Sequence, residues 1–208
     1  AAFYSFVTYQ GGKKMSTRTG KTVPLDEVID EAIARSREEV LKRRPDLAEA
    51  DVERIAVQVG LGAIKFNILR IDPNKGIRFS WDEAIDFTGD SSAYVQYARA
   101  RASSILRKAG DYTPGDATSL DTPEEKELIW SLALTPTVIA RSAADMKPNY
   151  LTDHAIQVSS LFNKFYMKHR VIQAEEPVRS ARLSLTQAVR DVLTTLLGLL
   201  GVEAPDEI

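Results

Sequence analysis

Two long apolar stripes at helical spacing constrain the fold of this chain most. Leu151, Ala155, Val158, Leu161, Phe162 and Phe165 recur at intervals of three and four residues. Val178, Ala181, Leu185, Val189, Val192, Leu196 and Leu199 do the same further on. Such a period places each set on one side of an α-helix, and a striped helix must bury that side against a partner. The rest of the chain supplies partners. LDEVIDEAIARSREEVLKRR (25–44) is amphipathic and is stopped by Pro45; its SREEVLKRR end reads as a solvent-facing surface with internal ion pairs. A second helix is expected over about 51–71, with Ile55, Val59, Ile64 and Ile68 at helical spacing. A third covers 92–109 and ends at Gly110.

Thr122 with Glu125 has the pattern of a capping box for a helix near 123–134, and Pro136 reads as the start of a separate one. Pro148 divides that segment from the striped helix at 149–168, and Pro177, as a first-turn residue, begins the last helix, which Gly201 ends. Non-helical material is sparse. FYSFVTY (3–9) suits a strand, DPNKG (72–76) a turn, IRFSW (77–81) a short extended piece before a helical turn, and TGDSS a loop. The fold class is therefore mainly α: a helical bundle preceded by a small β/loop piece.

Composition closes several routes to function. Cysteine is absent, so thiolate chemistry, disulfides and cysteine metal sites are excluded, and a cytoplasmic location fits. The two histidines, His154 and His169, have no acid at metal-ligand spacing, so no metal site is expected and both are read as surface or packing residues. No apolar run approaches membrane-spanning length, so no membrane partner is expected. Trp81 and Trp130 are read as structural anchors. The net charge of −2 favours no partner, which leaves local clustering to decide.

Two clusters stand out. GGKKMSTRTG (11–20) carries glycines, cations and hydroxyls with no acid. It is either a solvated connection or a mobile anion clamp, in which glycines free the backbone and lysines and hydroxyls donate to phosphate. The second is FTGDSSAYVQYARARASSILRKAG (87–110). Arg99, Arg101, Arg107 and Lys108 lie there with no acid between Asp90 and Asp111. Tyr94, Tyr97 and Arg101 share a helix face, which could stack unpaired bases or could equally be core packing with satisfied hydroxyls. Lys164, Lys168 and Arg170 form either a phosphate-facing patch or a solvated helix end.

A resemblance adds to these readings. Lys14-Met15-Ser16-Thr17-Arg18 resembles the KMSKS signature of class I aminoacyl-tRNA synthetases. GLGAIKFNILR (60–70), FSWDEAIDFTGDSSAYVQYARARASSIL (79–106), PNYLTDHAIQVSSLFNKFYMKHRVI (148–172) and ARLSLTQAVRDVLTTLLGLLGVEAP (181–205) resemble, in order, the C-terminal part of the arginyl-tRNA synthetase family. Ser180-Ala181-Arg182-Leu183 is similar to the DALR pattern of that family's anticodon-binding domain, with Ser for Asp and the last two letters inverted.

The resemblance implies the end of a catalytic domain at 1–24, a helical connecting region with the first anticodon-binding helices at 25–110, and the rest of the anticodon-binding bundle at 111–208. It assigns anticodon contacts to Gly89, Asp90, Tyr94, Tyr97, Arg101 and Tyr166. Lys14 and Ser16 would act in catalysis, within an ATP-binding loop formed with Met15, Thr17 and Arg18. The partners implied are the tRNA for arginine, with L-arginine and ATP (as its Mg²⁺ complex) used by a monomeric parent enzyme. Neither histidine lies in a His-x-Gly-His signature, so the chain reads as a cut from a longer polypeptide. By itself it is expected to bind tRNA, hold no cofactor and catalyse nothing, with residues 1–24 unordered for want of a sheet. The alternative from another class is a non-catalytic helical RNA-binding or adaptor module, which leaves Lys14 to Arg18 unexplained. The cysteinyl family, with a similar helical domain, is disfavoured by the Tyr-Val-Gln-Tyr-Ala block.

Overall fold

A computed structural model describes residues 7–9, 13–14 and 24–208. The chain is mainly α, as its periodicity requires. Strands β1 (Val7–Tyr9) and β2 (Lys13–Lys14) precede helices α1 (Leu25–Arg43) and α2 (Glu49–Leu69). Strand β3 (Ile77–Phe79) and the one-turn helix α3 (Trp81–Ala84) follow. Four long helices complete it: α4 (Ser92–Ala109), α5 (Pro123–Asp145), α6 (Asn149–Lys168) and α7 (Val178–Leu199).

The three strands form a small sheet in the order β2-β1-β3. Thr8 is in antiparallel register with Lys14, and Val7 and Tyr9 are in parallel register with Ile77 and Phe79. The expectation that the leading strand has nothing to pair with is thus corrected at Val7–Tyr9. IRF (77–79), seventy residues on, supplies the edge.

Two apolar clusters hold the helices together. Ala32, Val40, Val52, Ile55 and Val59 of α1 and α2 pack with Trp81 and Phe87. Phe162, Phe165, Leu193 and Leu196 of α6 and α7 pack with Val95, Ala98 and Ala102 of α4. Helix α4 serves both clusters, because Ala93 and Ala100 face the first. Its alanines let helices approach closely on two sides. The third side is left for Tyr97, Arg101, Ser104 and Lys108, at i, i+4, i+7 and i+11.

Local signals held at several termini. Gly110 has φ 66°, a backbone region that favours glycine. Thr122 Oγ1 accepts from the Glu125 N–H, and Glu125 Oε2 accepts from the Thr122 N–H at 2.9 Å, completing the capping box. Glu39 pairs with Lys42 and Arg43, as the charge pattern of α1 suggested.

Four expectations need correction. Residues 123–145 form one helix through Pro136 rather than two. Leu128, Ser131, Thr135 and Ser142 are buried on it, and Thr135 Oγ1 hydrogen-bonds His154 Nε2 at 2.9 Å across to α6. Packing along the whole length of α6 outweighs the roughly 3 kcal/mol cost of an interior proline. Leu199 is 54% exposed, and Leu193 and Leu197 are buried on α7 in its place. Trp81 is a buried anchor, but Trp130 is 68% exposed. Pro177 is the N-cap of α7 rather than a residue of its first turn.

Candidate nucleic-acid interface

The free side of α4 opens on a cleft of about 560 Å³. Its opposite wall is the C-terminal end of α6 and the segment after it, Tyr166 to Gln173, with Arg44, Glu207 and Ile208 at one end. Among the described residues, the cleft is lined by six lysine or arginine side chains (Arg44, Arg101, Arg107, Lys108, Lys168 and Arg170) against one acidic side chain, Glu207.

Their charges are not equally available. Lys168 donates to Glu124 at 2.6 Å, and Lys164, outside the cleft, donates to Glu127 at 2.9 Å. Hydrogen bonding from Lys168, with help from His169, holds the Glu124 carboxyl down at about 2. Arg44 is held by Asp46 at 2.9 and 3.0 Å and lies 3.6 Å from Glu207. Arg101, Arg107, Lys108 and Arg170 have no carboxylate partner among the described residues. A concave surface with four uncompensated cations suits a polyanion.

Aromatic rings sit beside those cations. The Arg101 guanidinium lies 4.8 Å from the Tyr97 ring centre and 5.0 Å from that of Tyr166. Its Nη1 donates to Asn163 Oδ1 at 2.5 Å. Tyr97 is half-buried and meets Phe87 edge-on at 6.5 Å, whereas Tyr166 is 42% exposed. The phenol–guanidinium surface is therefore open, and it spans two helices. It is built from Tyr97, Arg101 and Tyr166 rather than from Tyr94, Tyr97 and Arg101 on α4 alone.

The other expected contacts lie elsewhere. Tyr94 is half-buried and does not line the cleft. Gly89 and Asp90 sit in the loop before α4, where Asp90 is bound through its carboxylate and carbonyl by Arg70, each at 2.7 Å. Asp86 orders that loop by accepting from the Thr88 hydroxyl and N–H, which hold its carboxyl below the ordinary range. Arg99 turns away from the cleft to Pro205 and Asp206. The side chain of Lys14, and all of Met15, Ser16, Thr17 and Arg18, lie outside the described residues.

The histidines differ: His154 packs inside the bundle, whereas His169 lies on the cleft wall. His154 is buried, and burial lowers its pKa. His169 bonds Glu124 at 3.2 Å. Arg182, in the DALR-like segment, donates to Glu125 at 2.7 Å and to the Arg170 carbonyl at 2.8 Å. It thereby ties the cleft wall to the start of α5.

Asn163, Arg44 and Glu207 were not found from the sequence. Asn163 precedes Tyr166 by one helical turn, so its place beside Arg101 was legible once the pairing of α4 with α6 was known. Arg44 and Glu207 are brought in by tertiary folding with no local signal.

Comparison with known proteins identifies the family of the segment that carries the cleft. Residues 95–208 match the DALR anticodon binding domain, and residues 2–81 match the catalytic domain of class I tRNA synthetases (R). An arginine–tRNA ligase of Pyrococcus abyssi is 45% identical over 94% of this chain and 32% of its own length. One from Methanocella arvoryzae is 42% identical over 99% of this chain and 36% of its own length. The solved arginyl-tRNA synthetase of Thermus thermophilus superposes with a TM-score of 0.91 at 37% identity, covering 99% of this chain and 35% of that one. The chain thus spans about a third of the length of the curated relatives it matches. Residues 95–208 make the chain a member of the DALR anticodon-binding domain family, with a stretch of class I synthetase catalytic-domain sequence ahead of it.

Proposed function

We propose that the cleft between α4 and α6 receives the anticodon arm of arginine tRNA, as part of an arginine–tRNA ligase. The observation that carries this reading is the Tyr97–Arg101–Tyr166 stack, open to a cleft with unpaired cations inside the family-matched segment. Unstacked anticodon bases would lie on the phenols, and Arg107, Lys108 and Arg170 would meet backbone phosphates. Gly89, Asp90 and Tyr94 would contact the arm from the loop before α4. Residues 1–24 would close the catalytic domain, 25–110 would connect to it, and 111–208 would complete the bundle.

The parent protein would activate L-arginine with ATP, carrying Mg²⁺ on its phosphates, and transfer it to tRNA as a cytoplasmic monomer. Lys14 and Ser16 would stabilise charge on the leaving pyrophosphate, with Met15, Thr17 and Arg18 completing the loop. The 208-residue chain alone would bind tRNA without catalysis. The test is a titration of the chain with arginine tRNA and with the same tRNA carrying a foreign anticodon. Tighter binding of the first supports the reading, and equal affinity for both refutes it. Arginine-dependent pyrophosphate exchange by this chain alone would refute the inactivity.

A further inference from the structure

We propose that Asn163 is a positioning residue for Arg101, and that its being an amide rather than a carboxylate keeps the Arg101 charge free for RNA. The proposal rests on the cleft being the tRNA site. Arg101 carries five N–H donors and no acceptor, so a neutral hydrogen-bonding partner must offer it an acceptor atom. Asn163 Oδ1 supplies that atom at 2.5 Å, from the helix that also carries Tyr166. With phenols at 4.8 and 5.0 Å, this one bond sets how the guanidinium lies between the rings.

The choice of partner is unusual within this molecule. Arg99 is matched by Asp206, Arg182 by Glu125, Arg70 by Asp90 and Arg44 by Asp46. The sequence holds 29 acids against 27 lysines and arginines, so carboxylates are plentiful. A carboxylate at 163 would make the stronger, charge-assisted bond to the same N–H. It would also cancel the charge that a phosphate or base edge would meet. The amide gives up fold stability and leaves the cleft cationic.

This predicts opposite signs for stability and binding, which a merely structural role would not produce. Asn163→Asp keeps size and acceptor. In the full chain it is expected to hold or raise the melting temperature. Affinity for arginine tRNA at low salt falls at least about fivefold, and the slope of log K against log salt becomes shallower by roughly 0.7–0.9, one phosphate contact. Arg101→Met also weakens binding, and in that background Asn163→Asp costs clearly less than in the unmodified chain, because only the repulsion of one added carboxylate remains once the guanidinium it would neutralise is gone. Unchanged binding by Asn163→Asp overturns the proposal. So does a penalty of undiminished size in the Arg101→Met background, or a fall in melting temperature alongside affinity. Failure of the unmodified chain to bind tRNA would instead overturn the function on which the proposal rests.

Discussion

Replacing Tyr166 with alanine separates the RNA-facing role of this surface from its packing role. The residue is 42% exposed, and its ring meets the Arg101 guanidinium at 5.0 Å and the Phe162 ring at 6.4 Å. An exposed cation–π contact contributes about 0.5–1 kcal/mol and an aromatic pair about 0.5–1.5 kcal/mol, so the fold should lose about 1–2.5 kcal/mol and remain native. Loss of a base-stacking ring costs about 1–3 kcal/mol of binding, or roughly a 5- to 140-fold rise in Kd. Fluorescence anisotropy of a labelled anticodon stem-loop at fixed salt reads this directly, with circular dichroism to check the fold. Tyr166→Phe keeps the ring and should bind within about twofold of the unmodified chain. Unchanged affinity for Tyr166→Ala in a folded protein refutes the stacking argument. Equal losses for Ala and Phe would assign the effect to the hydroxyl.

Other perturbations test the remaining physical claims. Glu207→Gln removes the lone acidic side chain that lines the cleft among the described residues and should tighten tRNA binding by about two- to fivefold, whereas weaker binding would mean that Glu207 orients Arg44 for the RNA. A Cβ at Gly60 would lie 2.9 Å from the Ala32 carbonyl carbon, where α2 meets the backbone of α1. Gly60→Ala should therefore destabilise by roughly 1–3 kcal/mol despite its helix propensity, seen as a drop in melting temperature of about 2–12 °C, and a rise would contradict that contact. Asp72 and Glu124 are each held at about 2, below ordinary values of 3.8 and 4.5, chiefly by Lys147 and Lys168. Because the folded values are the lower ones, this stabilisation is complete above the ordinary values and is lost as pH falls from there towards 2. A melting temperature flat across that window would contradict it.

Much of the architecture was legible because helix signals are local. The stripes on α6 and α7, the Thr122–Glu125 cap and the Gly110 terminus all act within a few residues. What escaped depends on distant partners. Pro136 looks like a boundary until α6 packs along α5 and holds Thr135 through His154. Trp130 looks like core by residue type, but it lies on the exposed side of α5, 68% accessible. The candidate site divides the same way. Tyr97 and Arg101 share a face by spacing, and Arg101 does lie over Tyr97. Tyr94, one turn earlier, shares the spacing but does not line the cleft, because the groove follows the far end of α6. Only the pairing of α4 with α6 brings Tyr166 and Asn163 to the same guanidinium.

The most direct test of the RNA cleft is nuclear magnetic resonance of the isotope-labelled chain during titration with an arginine-tRNA anticodon stem-loop. Signals from Tyr97, Arg101, Lys108, Tyr166 and Arg170 should shift first and saturate together. Shifts confined to the separate groove around Arg35, Lys42 and Asp82, with those five unmoved, would contradict the account.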